Sequence, residues 1–400
     1  MATTRMPFEL DEYRARWSSV YREIAARGLT SVVVFGRGGG GFDRFQEVFY
    51  LTNYYSCNTG YNYDGLQKGT RAAAHCAVLL TANEEPVLIA DDPTVDRSGV
   101  ATSRVLAGTD VIALLAQALQ QAKLTGEVGF VGLDCISARH MSALQELVPK
   151  VTWRDLDDLI LNLRVIKSPA ELDVFRAAGE TVSAALSALL EAILTGESEA
   201  EAAGAAAREV YRRQGHVNQI LIGHGAWTVE RLTNCPIAGY STETPEPGDL
   251  VRAWVYGAMR EGYWLDPGRT TVVGLKPTSD QRRLVEICAQ IVEELRAAIR
   301  PGVAVAEVAA LGERLRKEYY GDTPFEEDWY VFGHGNGLYF EPPIIESAYT
   351  GPHTTFKESM VAATELFLNL PGVGNCGFEQ NFIVTPTGTE LLTTTPLIWW

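Results

Sequence analysis

None of the six cysteines, at positions 57, 76, 135, 235, 288 and 376, belongs to a C-x-x-C pair. Neither a disulfide framework nor a zinc knuckle is therefore expected, and most of the cysteines are read as small core residues. No apolar run approaches the roughly 18 residues that a membrane-spanning helix needs. The opening stretch MATTRMPFELDEYRARW lacks an apolar core of the signal-peptide kind. A cytoplasmic protein with no membrane partner is the expectation. Positive charge is scarce: 34 Lys and Arg stand against 50 Asp and Glu, a net charge of −16. Such a surface repels phosphate backbones and argues against a nucleic-acid partner. Internal repeats and low-complexity tails are also missing.

The chain has 400 residues, 46% hydrophobic and 21% charged, an ordinary globular balance. That length exceeds one ordinary core and predicts two domains, placed at 1–160 and 161–400. The first part alternates. Tyr13, Trp17, Val20, Tyr21 and Ile24 recur at helical spacing over 9–27. Strand-like runs follow at 30–35 (TSVVVF), 75–80 (HCAVLL), 86–91 (EPVLIA) and 127–132 (EVGFVG), with helices near 110–123 and 137–147. An α/β domain with a mixed or parallel sheet is expected. The second part opens on a capping box, with Ser168 and Glu171 around Pro169 at the first helical position. Leu172, Phe175, Val182, Leu186, Leu189 and Ile193 then form one helix face. Helix pairs near 169–214 and 280–318, with antiparallel-looking strand runs between and after them, predict an α+β domain.

GRGGGG at 36–41 follows a strand and fits the G-x-G-x-x-G phosphate cradle. The confirming helix is not expected, because FDRFQEVFYLTNYY continues with aromatic and β-branched residues. A surface loop is the preferred reading. With the neighbouring tyrosine- and asparagine-rich stretch YLTNYYSCNTGYNYD, it is read as a candidate to reach over a partner subunit's site.

Acids stand in awkward places in the second part. Asp266 interrupts GYWLDPGRTT, Glu365 opens the apolar run ELFLNLPG, and Glu379 precedes NFIVT. Uncompensated burial of charge is costly. Two carboxylates about 4 Å apart repel by roughly 4 kcal/mol at a surface-like dielectric. A divalent metal, shared protons or a cationic substrate must offset them. His334, between glycines in FGHGNGLYFEPP with Glu341 seven positions on, is the candidate fourth member. One histidine with three carboxylates suits Mn, Fe, Co or Zn.

Five blocks in order resemble the pita-bread metallopeptidases, the family of methionine and Xaa-Pro aminopeptidases, prolidases and creatinase. They are LRVIKSPAELDVFRAAG, GDLVRAWVYGAMREGYWLDPGRTT, GHGNGLYFEPP, ESMVAATE and GFEQNFIVTPTGTELLT. The resemblance covers nearly the whole chain in the two-domain creatinase/prolidase arrangement, and it implies a pita-bread C-terminal domain. The family's metal ligands are two aspartates, a histidine and two glutamates. Four fall on Asp266, His334, Glu365 and Glu379. The first aspartate belongs eleven positions before Asp266, where Val255 stands, and Trp254 and Tyr256 beside it are no carboxylates. Two family histidines are missing as well: Phe340 occupies one position, and none lies in RLTNCPIAGYSTETPEPGDLV. In peptidase members these position the substrate; in creatinase, which uses no metal, the earlier one is the base. His224 and His353 are nearby histidines, both read as surface residues.

The resemblance thus implies a hydrolase of a C–N bond in a small, dipeptide-like substrate, with one divalent ion on the four remaining ligands. Glu341 or Glu365 is expected to take the proton, and Arg269 to orient the carboxylates by bidentate pairing. Trp254, Tyr256, Tyr263 and Trp264 offer an aromatic wall, or serve as strand packing. A homodimer is implied too. Two alternatives stay open: a metal-free, creatinase-like hydrolase of a cationic substrate, and a non-catalytic binding module that keeps the fold.

Overall fold

The computed structural model describes residues 6–38, 44–56, 74–229, 235, 237–327 and 331–400. The chain divides into two compact units, Met1–Arg164 and Val165–Trp400.

The first unit runs α1 (Leu10–Ala26), β1 (Ser31–Arg37), α2 (Gln46–Thr52), β2 (His75–Thr81), β3 (Val87–Ala90), β4 (Arg104–Ala107), α3 (Val111–Gln121), β5 (Gly126–Val131), α4 (Ala138–Leu147), β6 (Val151–Asp155) and α5 (Asp158–Arg164). Its sheet has the order β4-β3-β2-β1-β5-β6. The central β1 pairs antiparallel with β2 and parallel with β5, so the sheet is mixed and the domain α/β, as the alternating pattern predicts. Val33, Phe35, Leu79, Ile89, Leu115 and Phe130 build a core between the sheet and α3. In α1 the residues Tyr13, Trp17, Val20 and Ile24 are buried, whereas Tyr21 reaches out to the Glu84 carbonyl. The expectation of no helix after the glycine run needs correction, because Gln46–Thr52 is helical. Six of its seven residues are buried, and a helix buried all round has no polar face to give a 3.6-residue period. Residues 39–41 of the glycine motif and 57–64 of the tyrosine-rich stretch lie outside the described residues.

The second unit begins with α6 (Pro169–Leu194) and α7 (Glu199–Arg212), followed by β7 (Gln219–His224), β8 (Leu250–Arg260), β9 (Tyr263–Leu265) and β10 (Gly268–Val272). Then come α8 (Ser279–Ala298), α9 (Val305–Tyr320), β11 (Glu326–Glu327), β12 (Gly333–Asn336), β13 (Phe340–Ile344), β14 (Val361–Leu370), β15 (Gly374–Thr385) and β16 (Gly388–Leu391). The expected capping box starts α6: Ser168 Oγ accepts from Glu171 N–H and the Glu171 carboxylate accepts from Ser168 N–H. By length and composition alone α6 could cross a bilayer. Its apolar side, including Phe175, Val182, Leu186, Leu189 and Ile193, is instead buried inside the unit. Ten strands form one sheet with the path β13-β12-β14-β15-β10-β8-β7. Their pairings are antiparallel throughout, the α+β character the sequence predicts. A second core of Leu284, Cys288, Ile291, Leu295, Phe378 and Phe382 packs α8 onto β14 and β15.

Candidate metal centre

Four neighbouring elements of the second unit supply the site. His334 lies on β12, Glu365 on β14, Glu379 on β15, and Asp266 in the short link between β9 and β10. Register brings them together. Glu365 is directly opposite Glu379 across the β14–β15 pair, and Gly268 is opposite Glu379 across β10–β15. Like charges directly opposite on adjacent strands repel. The glycines flanking His334 explain how β12 fits. A Cβ on Gly333 would lie 2.0 Å from the Ala363 carbonyl, and one on Gly335 would lie 2.4 Å from that of Pro342.

One oxygen or nitrogen from each of Asp266, His334 and Glu379 lies within 4.8 Å of the others, and all three residues are buried. The His334 Nδ1 atom is 3.2 Å from the Gly335 carbonyl. The carbonyl can only accept, so Nδ1 is the donor, and Nε2 is the ring nitrogen turned to the carboxylates. Nε2 faces Asp266 Oδ2 at 3.5 Å, Glu379 Oε1 at 3.6 Å and Glu365 Oε1 at 3.9 Å. These separations are too long for hydrogen bonds. Metal–ligand bonds of about 2.0–2.2 Å put ligand atoms roughly 3.0–3.5 Å apart, so a small inward shift would close the set around one cation. The buried Glu379 Oε1 has no hydrogen-bond partner among the described residues. A buried, unpartnered carboxylate oxygen aimed at an imidazole lone pair and two further carboxylates fits a divalent cation. Burial first, then Asp266 and Glu365, pushes the Glu379 carboxyl well above its ordinary range.

The outer oxygens of Asp266 and Glu379 are committed elsewhere. Asp266 Oδ1 accepts from Asn336 Nδ2 at 3.0 Å and Asn381 Nδ2 at 2.8 Å. Glu379 Oε2 accepts from the Trp254 indole N–H at 2.9 Å. The missing-aspartate position is therefore corrected by one. On β8 the side chain that meets the carboxylates is Trp254, and strand alternation turns Val255 to the other face. A bulge between Ala258 and Arg260 interrupts the β8–β9 pair, so a count of residues back from Asp266 does not by itself fix which β8 side chain faces the site. Asn336 and Asn381 were also missed. Asn381 was findable, being two positions past Glu379 and so on the same face of β15.

Other expected residues take different places. Among the described residues Arg269 pairs with no carboxylate; it is fully buried and donates to the carbonyls of Gly268, Glu379, Thr395 and Pro396 and to the Gln380 side chain. It pins the β15 backbone at Glu379. Burial draws its pKa down to about 9, still cationic at neutral pH. Glu341 forms an ion pair with Lys167 at 2.6 Å, each side chain 1% exposed. Tyr263 is core, packed on Phe175 with its hydroxyl donating to Glu171. Trp264 is buried against Tyr256, Tyr339 and Phe340. Phe340 is 40% exposed and sets its ring edge-on to His334. His224 is not at the surface: it is buried, with Nδ1 2.6 Å from Glu199 Oε1. His353 is half-buried.

Comparison with known proteins shows the family and the two-domain fold. The profile of metallopeptidase family M24 matches residues 173–386, and that of the creatinase/prolidase N-terminal domain matches residues 16–166. The chain belongs to metallopeptidase family M24, which bears out the pita-bread resemblance and the hydrolase class it implied. The Xaa-Pro dipeptidase of Pyrococcus furiosus is 30% identical over 249 residues, 61% of this chain and 67% of that protein. The solved prolidase from Pyrococcus horikoshii OT3 superposes with a TM-score of 0.76 at 20% identity, over 96% of this chain and 99% of that one. Dipeptidase PepE from Mycobacterium ulcerans gives a TM-score of 0.75 at 24% identity, over 98% of both chains.

Proposed function

We propose that this protein hydrolyses a C–N bond in a small, dipeptide-like molecule at a centre that holds a single divalent ion, Mn, Fe, Co or Zn. Asp266, His334, Glu365 and Glu379 hold it. The observation that carries the reading is the convergence of Glu379 Oε1, otherwise unpartnered, with the His334 Nε2 lone pair and one oxygen each of Asp266 and Glu365. When bound, such a cation supplies an acidified water and a polarised carbonyl at that point.

The chain's own residues do the rest. His334 is fixed in its ligand tautomer by the Gly335 carbonyl. Glu365 faces the same point, with Oε1 3.9 Å from His334 Nε2, and it is the carboxylate assigned to take the proton of the attacking water. Glu341 is assigned a positioning role instead, since its carboxylate is held by Lys167. Arg269 orients Glu379 through its main-chain carbonyl. The exposed Phe340 ring beside His334 offers an apolar wall to the substrate where other family members offer a histidine. The dipeptidase and prolidase names of the relatives support a dipeptide-like substrate, and the family resemblance supports a homodimer.

The test is hydrolysis of a panel of Xaa-Pro dipeptides and small amides by metal-stripped and by Mn-, Fe-, Co- and Zn-loaded protein. Turnover of at least one compound, abolished by chelation and restored by reloading, is expected. Turnover that survives chelation, with melting raised by guanidinium or amine ligands, would replace this reading with the metal-free one.

A further inference from the structure

Each of the two central carboxylates divides its oxygens in the same way. Asp266 Oδ2 and Glu379 Oε1 face His334 Nε2, whereas Asp266 Oδ1 and Glu379 Oε2 point outward and accept N–H donors. A carboxylate that bridges two cations gives one oxygen to each. Here the outer oxygen of Glu379 is taken by the Trp254 indole, a group that can donate one hydrogen bond and can ligate nothing. The indole is built in. It stacks on Phe367 with ring centroids 5.0 Å apart and planes 16° apart. A Cβ on Gly268 would lie 1.8 Å from the ring and one on Gly377 2.5 Å from it, so the neighbouring strands β10 and β15 leave that space bare for it.

We propose that Trp254 occupies the place of a second ion and limits the centre to one. The inference rests on the single-ion reading above. Three neutral N–H donors, from Trp254, Asn336 and Asn381, satisfy the outer oxygens without neutralising their charge. That leaves the negative charge to be balanced from the inner side, by the one ion on His334. Of the three donors, Trp254 comes from β8, the strand on which the family's absent aspartate belongs, and its ring fills the volume a second ion and its water would need.

The experiment is native mass spectrometry with elemental analysis of the full-length protein, saturated with Mn(II), as wild type, W254D, W254H and W254F. The expected counts are one ion per chain in wild type, two in W254D and W254H, and one in W254F, which refills the cradle without a ligand atom. W254H keeps a ring between Gly268 and Gly377, so it decides the matter if W254D does not melt cooperatively. One ion in wild type and one in each folded ligand-bearing variant would overturn the role of Trp254 and leave the single-ion reading standing. Two ions in wild type would overturn the role as well. No ion in wild type would fell the single-ion reading and this inference with it.

Discussion

Glu379 has two oxygens with two environments, one tied to an indole and one left facing an imidazole. With burial and Asp266 and Glu365 acting on it, its carboxyl stays protonated well above the ordinary 4.5. In metal-stripped protein the folded state therefore keeps a proton that the unfolded chain releases as pH rises past about 4.5. The stability tied to that proton is complete below this pH and declines as the pH climbs toward neutrality. A bound divalent cation takes over from the proton, so the decline disappears. Melting curves of chelated and Mn-loaded protein between about pH 5 and 8 should diverge as pH rises; parallel curves would contradict the assignment. Lys167 and Glu341 make a second residue-scale prediction. Lys167→Met removes the cation paired with a buried carboxylate and should cost about 3–5 kcal/mol in urea unfolding. A loss under about 1 kcal/mol would mean that water reaches the pair. The four candidate ligands were legible in the sequence because each acid breaks an apolar run, the histidine lies between glycines, and all four fall in register with the motif blocks of the family. Trp254 and Asn336 were not, because neutral donors next to a carboxylate leave no anomaly in composition; Asn381 could be reached only by stepping two positions along the strand from Glu379.

At the scale of elements, the site depends on how closely β12, β14 and β15 approach. Gly333, at φ +144° and against the Ala363 carbonyl, has no room for a side chain. Gly333→Ala should displace His334, cost on the order of 3 kcal/mol in thermal or denaturant unfolding, and weaken Mn(II) binding at least tenfold by calorimetry. Unchanged stability and affinity would show that the strand can shift outward. Long, strongly patterned elements could be read from the chain: α6 from its capping box and apolar face, β1, β2 and β5 from their apolar runs. Two features could not. The helix at Gln46–Thr52 is buried on every side and shows no period. The bulge between Ala258 and Arg260 adds a residue that no local signal marks. Counting back from Asp266 reaches Val255, whereas the side chain that meets Glu379 is that of Trp254.

Across the molecule, two compact units carry the family's two sequence regions. The order of motif blocks disclosed this without a structure, because a fold is specified by many positions and tolerates the loss of a few. Activity rests on far fewer. The chain keeps four ligand-type residues in register, with an indole hydrogen-bonded to one of them. The central claim is that Asp266, His334, Glu365 and Glu379 hold one divalent ion. The most direct measurement is the metal content, by elemental mass spectrometry, of protein purified without added metal, beside His334→Ala and Glu379→Ala. The account predicts about one tightly held ion per wild-type chain and none in either variant. No ion in wild type, even after incubation with Mn, Fe, Co or Zn, would contradict it.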